Sequence, residues 1–197
     1  MPNFWRPEPQ IYDALIESIP RIMASQRPDG QFGDLPWICR DQHAMLPLAV
    51  AWQMPASPYH HDSDVLEAIV RGGDALIHDQ DKNGMWTFRK KDHSTWGQIY
   101  MPWTYSRWIR TYRIIRDGVA ENVRRRWDTA LTLGFEGIAR QELSRIHNIP
   151  THHAMALYCA GEVLARKEWQ SQAVAFIHEV IREQSPHGWW TENVGPV

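Results

Sequence analysis

Apolar positions recur every three or four residues over most of the chain, the spacing of amphipathic helices. Ile11, Leu15, Ile19 and Ile22 predict a first helix over roughly residues 9–25, with Pro20 as a kink or break inside it. Ala44, Leu48, Ala51 and Trp52 predict a second over about 40–54, ended by Pro55 and Pro58, with Pro47 as a kink or as its true first turn. Asp62-Ser63-Asp64 offers an N-cap for a third over about 63–79, carrying Val65, Ile69, Ala75 and Leu76. A fourth is expected over about 97–117, with Gly118 as its stop, and three more over about 119–143, 150–165 and 167–184. Strand signals are nearly absent. Met85-Trp86-Thr87-Phe88, behind the Asn83-Gly84 turn signal, is the one tempting stretch.

Three of these helices end alike. Gln26…Gly30-Gln31-Phe32, Gln80…Gly84-Met85-Trp86 and Gln184…Gly188-Trp189-Trp190 share a Gln, a polar turn, a Gly and then an aromatic residue. A Gly after a helix is a common C-cap, but three copies at alternate helix ends indicate an internal repeat. Odd helices leave through longer, aromatic loops, and Arg116-Asp117-Gly118 is a tight polar turn. Antiparallel hairpins connected in this way build a curved solenoid or a closed helical toroid, with the long loops gathered on one rim. The expectation is an all-α array of antiparallel hairpins spanning residues 1–197 as one domain, with essentially no sheet. Seven helices leave the last without a partner, which points to a fragment or to a domain completed by another chain.

Composition narrows the function classes. The formal charge of -2 argues against nucleic-acid binding through bulk charge. No run of about 18 apolar residues exists, so no membrane span is expected. Met1 to Pro7 lack a basic start and an apolar stretch, so no secretion leader is expected and the default location is cytoplasmic. The two cysteines, Cys39 and Cys159, read as buried thiols. Eleven Trp and ten His in so short a chain, however, suggest aromatic platforms and polar recognition.

The four long loops carry most of the chemistry. The first holds Asp34, Trp37, Arg40, Asp41 and His43. The second runs from Trp86 through Arg89-Lys90-Lys91, His93 and Trp96 to Tyr100, Trp103 and Tyr105. The third is Arg145-Ile146-His147-Asn148-Ile149-Pro150-Thr151-His152-His153, and the fourth is Trp189-Trp190-Thr191-Glu192-Asn193. Pro150 fits a first helical turn, placing Asn148 just before it and both histidines within it. Such a cluster can hold an anion through amide, imidazole and free backbone N–H donors, and a histidine there can accept a proton. The plainer reading is an Asn cap with satisfied histidines. Trp52, Trp108, Trp127 and Trp169 sit at core spacing, whereas the loop tryptophans suit stacking on sugar rings. The row Arg107, Arg110, Arg113 and Arg116 reads as a solvated helix face. The adjacent pairs His60-His61 and His152-His153 lack the spacing of a zinc site, so no metal or cofactor is expected.

The stretch from Asn148 through His152-His153, Ala154, Leu157 and Gly161, followed by Gly188-Trp189-Trp190-Thr191-Glu192-Asn193-Val194-Gly195-Pro196, resembles the helical toroid domain of heparinase II/III-like and alginate-lyase-like polysaccharide lyases. Gly72-Gly73-Asp74 and Asp81-Lys82-Asn83-Gly84-Met85-Trp86 are compatible with that domain. The resemblance implies β-elimination on a uronic-acid polysaccharide, needing a group that neutralises the carboxylate, a base for the C5 proton and an acid for the leaving oxygen. It implies Asn148 as the neutralising residue, His152 or His153 as helper or base, and Glu192 near the carboxylate. The acid or base Tyr of such lyases often lies on a later helix, and Tyr100 and Tyr105 are its substitutes here. A substrate groove is expected along Trp37, Arg40, His43, Trp96, Trp103, Trp189 and Trp190, with an acidic polysaccharide or oligosaccharide as the partner. The resemblance also implies a β-rich domain after the toroid, and no such domain is expected within residues 1–197. A glycoside hydrolase using Asp41 or Glu192 as general acid, and a non-catalytic glycan- or protein-binding repeat, are the alternatives.

Overall fold

In a computed structural model, the structure describes residues 8–33, 42–90, 92–141, 143, 147–188, 190–192 and 195–196. Seven α-helices account for most of them: α1 (Pro9–Ala24), α2 (Met45–Gln53), α3 (Ser63–Asp79), α4 (Pro102–Ile115), α5 (Glu121–Arg140), α6 (Asn148–Val163) and α7 (Lys167–Arg182). Local chemistry explains their starts. The Asp62 carboxylate caps α3 by accepting from the backbone N–H of Asp64 and Val65 at 2.9 and 3.0 Å. Pro9 and Pro102 open α1 and α4, where a missing N–H costs nothing. Pro47 lies in the first turn of α2, which a 3-10 turn over Gln42–Ala44 precedes. Pro20 is accommodated within α1, and the helix continues through it to Ala24.

The helices form two layers. Side by side in one lie α2, α4 and α6; α1 and α3 pack on α2, α3 borders α5, and α5 and α7 flank α6. An aromatic column fills the space between the layers. Trp86 meets Tyr105 at 4.7 Å between ring centroids, Tyr105 meets Phe135 at 5.2 Å, and Trp108 meets Trp127 at 5.7 Å. As their spacing predicts, Trp52, Trp108, Trp127 and Trp169 are buried. Trp86 is buried too, contrary to its expected place on the rim.

The expectation of essentially no sheet needs correction. Trp86–Arg89 (β1) pairs antiparallel with Thr95–Ile99 (β2), where a helix over 97–117 was expected. Pro102 explains the later start of α4, because its ring is compatible with a first turn and not with a helix interior. The register passes from Phe88 opposite Gly97 to Arg89 opposite Thr95, so Trp96 is the extra residue of a bulge. Trp86 and Phe88 anchor the hairpin in the core, while β2 is exposed as far as Gln98. A second, two-residue pair joins Thr191–Glu192 (β3) to Gly195–Pro196 (β4).

The repeat is physical. Gly30, Gly84 and Gly188 adopt φ of 86, 85 and 85°, the left-handed conformation in which a side chain is strained. The Gln26 side-chain amide donates to the Ala68 carbonyl of α3, and that of Gln80 donates to the Ala130 carbonyl of α5. Trp86 Nε1–H donates to the Leu76 carbonyl at 2.9 Å, and Trp190 Nε1–H to the Val180 carbonyl at 2.6 Å, so the aromatic ring folds back on the helix it follows. Gly30 lies against Arg71 and Ala75 of α3, and Gly84 against Gly134 of α5. The loops after α1 and α3 therefore rest on the C-terminal half of the next helix in their layer, and the C-terminal ends of α1, α3 and α5 share one end of the molecule.

Candidate functional site

The hairpin, the start of α4 and the start of α6 meet at that end. His153 is buried, and its Nε2 lies 2.9 Å from the Tyr100 carbonyl, which links α6 to the residue following β2. A carbonyl only accepts, so Nε2 carries the proton. Burial, the largest influence, lowers the pKa of His153 against the opposing pull of the Tyr100 carbonyl. His153 is thus a neutral, structural residue.

His152 points elsewhere, as adjacent helical residues must. Its ring is half-buried, 5.9 Å from the Trp103 ring, and its Nδ1 is buried with no hydrogen-bond partner. Nε2 remains for chemistry. Burial lowers the His152 pKa, and the nearby Arg107 and Arg110 cations add to the shift. Asn148 is exposed one helical turn before His152, on the same face of α6. The expected Asn cap is corrected: α6 begins at Asn148, and His147 is the N-cap, its Nδ1 accepting from the Ile149 N–H.

Arg107 and Arg110 are the residues that sequence reasoning misplaced. The arginine row divides. Arg113 pairs with Glu162 at 2.7 Å and Arg116 with Asp128 at 3.6 Å, as surface cations do. Arg107 and Arg110 bond only to carbonyls of their own helix, those of Trp103 and Ser106, and have no carboxylate partner among the described residues. Burial and the adjacent Arg110 lower the pKa of Arg107, the mark of an uncompensated cation. The Trp103 ring therefore lies beside the His152 imidazole, and the Arg107 and Arg110 cations are near enough to act on it. This arrangement can hold a carboxylate in bidentate fashion and take up a proton next to it.

The remaining expected site residues are dispersed. Trp96 is 74% exposed at the hairpin bulge, stacked 5.0 Å from Phe88 with Lys90 Nζ 5.6 Å from its ring. His43 is half-buried in the turn before α2. Tyr105 is fully buried: its hydroxyl donates to the Gly84 carbonyl and accepts from Gln80, so it packs the core rather than meeting a ligand. The Tyr100 hydroxyl abuts Gly137 of α5. Trp190 is engaged with α7 through Val180. Trp37, Arg40, Asp34, Asp41 and Trp189, together with the Glu192 side chain, lie outside the described residues. No group of three or more metal-binding side chains occurs among the described residues, and no described helix is long and apolar enough to cross a membrane.

No known protein family, curated protein or solved structure that was compared with the chain matches it.

Proposed function

We propose that the chain is the helical part of a polysaccharide lyase, a portion of an (α/α) toroid that cleaves a uronic-acid-containing polysaccharide by β-elimination. The observation that carries this reading is the pair of half-buried guanidiniums, Arg107 and Arg110, without a carboxylate partner among the described residues, near a His152 whose pKa is lowered. A uronate supplies the missing anion. Elimination also needs that charge neutralised, because removing the C5 proton adds an enolate to an existing carboxylate. Donors preorganised against developing charge in a dry site contribute roughly 3–4 kcal/mol each.

In this scheme Arg107, Arg110 and Asn148 hold the carboxylate. His152 takes the C5 proton on Nε2, the C4–O bond breaks as the C4–C5 double bond forms, and the imidazolium returns its proton to the departing oxygen. One residue then serves as base and acid, consistent with the diversion of Tyr100 and Tyr105 to packing. Trp103, 5.9 Å from the His152 ring, would flank the reacting sugar, and the exposed Trp96 offers an outlying sugar platform.

The test is an assay on alginate, heparin-like and plant or algal uronate polymers, following the ultraviolet absorbance of the unsaturated product. Arg107→Gln with Arg110→Gln is expected to abolish turnover while leaving the melting temperature nearly unchanged. New reducing ends without absorbance would mean hydrolysis. Binding without either product would leave only a glycan-binding module, and both outcomes overturn the lyase reading.

A further inference from the structure

The two flanks of the helix stack expose residues whose counterparts elsewhere in the repeat are covered. In the register that aligns Gln26 with Gln80 and Gln184, Ile11 of α1 matches Val65 of α3, and Ile177 of α7 matches Gly73 of α3. Val65 is buried, whereas Ile11 is 65% exposed. Gly73 is covered by the Trp127 ring of the following helix, α5, whereas Ile177 is 36% exposed. Ile181 and Val174, 57 and 41% exposed, match Ile77 and Val70, which pack against the core.

The polar part of the repeat is open on the same flank. Gln26 and Gln80 each donate to a carbonyl of the next helix, Ala68 or Ala130, whereas among the described residues Gln184 donates to Gly188 in its own loop and to no other helix. Among the described residues only Gln184 comes within 4 Å of where a Cβ on Gly188 would stand, whereas Gly30 and Gly84 touch α3 and α5. On the same flank, Met155, Tyr158, Cys159, Val174, Ile177 and His178 line an almost wholly apolar groove of about 370 Å³ between α6 and α7. The groove takes in Val174 and Ile177, the same residues whose counterparts on α3 are packed against the core or covered by the next helix.

We infer that the α7 flank binds the α1 flank of a second copy of this chain, head to tail, so that the repeat continues from one molecule into the next. The repeat itself specifies the fit. Ala14 and Ser18 of α1 stand where Ala68 and Gly72 stand on α3, which makes the Ala14 carbonyl the acceptor for Gln184 and gives Gly188 a small residue to rest on. Ile11 then closes over the α7 flank as Val65 closes over its own neighbours. A head-to-tail contact of this kind closes into a ring or extends as a chain, according to its rotation. It would also prolong the layer of α2, α4 and α6.

Sedimentation of the whole chain over a concentration series tests this, with one substitution on each flank. The unmodified chain is expected to associate into dimers or larger species at micromolar concentrations. Ile177→Glu and Ile11→Glu, each alone, are expected to be monomeric, because the charge falls on one side of the single interface type. Mixed together, they are expected to form a heterodimer through the one intact pair of flanks. A monomeric unmodified chain, association that survives either substitution, or a mixture that stays monomeric would each overturn the inference. The altered side chains are exposed, so helical content is expected to be preserved. Val174→Lys and Ala14→Arg repeat the test at second positions on the same flanks should either Glu variant lose helicity.

Discussion

Neighbouring histidines on α6 have opposite duties, and the difference is measurable. His153 is buried with its Nε2–H on the Tyr100 carbonyl. His153→Ala leaves that carbonyl unsatisfied, a cost of about 1–3 kcal/mol, and is expected to lower the melting temperature. Its depressed folded-state pKa means that the unfolded chain binds the proton more tightly. The stability it contributes is therefore complete above the unfolded value of about 6.5 and is lost as pH falls below it. Thermal melts between roughly pH 7 and pH 5 should show a steeper decline in the unmodified chain than in His153→Gln. His152→Ala, by contrast, is expected to spare the fold and abolish turnover. The acid limb of the pH–rate profile should lie below about 6.5, because burial and the two arginines favour neutral His152. Arg107→Gln should move that limb upward, whereas a His152 without a proton-transfer role would leave the profile's midpoint in place.

At the level of elements, the β1–β2 hairpin separates two tryptophans that the sequence cannot tell apart. Trp86 is buried and bonded to the Leu76 carbonyl, while Trp96 is carried outward by the bulge. Trp86→Ala should cost about 3–5 kcal/mol, as large aromatic truncations in cores do, and should be visible as a large fall in unfolding temperature. Trp96→Ala should leave that temperature nearly unchanged and weaken binding of uronate oligosaccharides in calorimetry. Comparable destabilisation by both would show that the hairpin is only a core element. The boundaries of α3 were legible from Asp62-Ser63-Asp64 and the apolar spacing, because capping and periodicity are local signals. The start of α4 was not. Thr95 to Ile99 carries no strong strand pattern, and its conformation depends on pairing with β1.

Across the whole molecule, the spacing of neighbouring helices rests on a few close approaches. Gly73 of α3 admits the Trp127 indole of α5, whose Nε1–H donates to Asp74, itself paired bidentately with Arg126 at 2.7 Å. A Cβ at Gly73 would land inside that ring. Gly73→Ala is therefore expected to push α3 and α5 apart and destabilise the chain by about 1–3 kcal/mol, the usual range for overpacking, as denaturant melts would record. The seven-helix order, the buried status of Trp52, Trp108, Trp127 and Trp169, and the Gln–Gly–aromatic repeat were all determined by the sequence. Each depends on residues close together along the chain. Tertiary structure alone decided which of Arg107, Arg110, Arg113 and Arg116 find a carboxylate among the described residues, since Glu162 and Asp128 come from α6 and α5. It also decided which of two adjacent histidines faces Trp103, and that Tyr105 belongs to the core. Charge pairing and burial are properties of the space between elements, and a one-dimensional pattern does not carry that space.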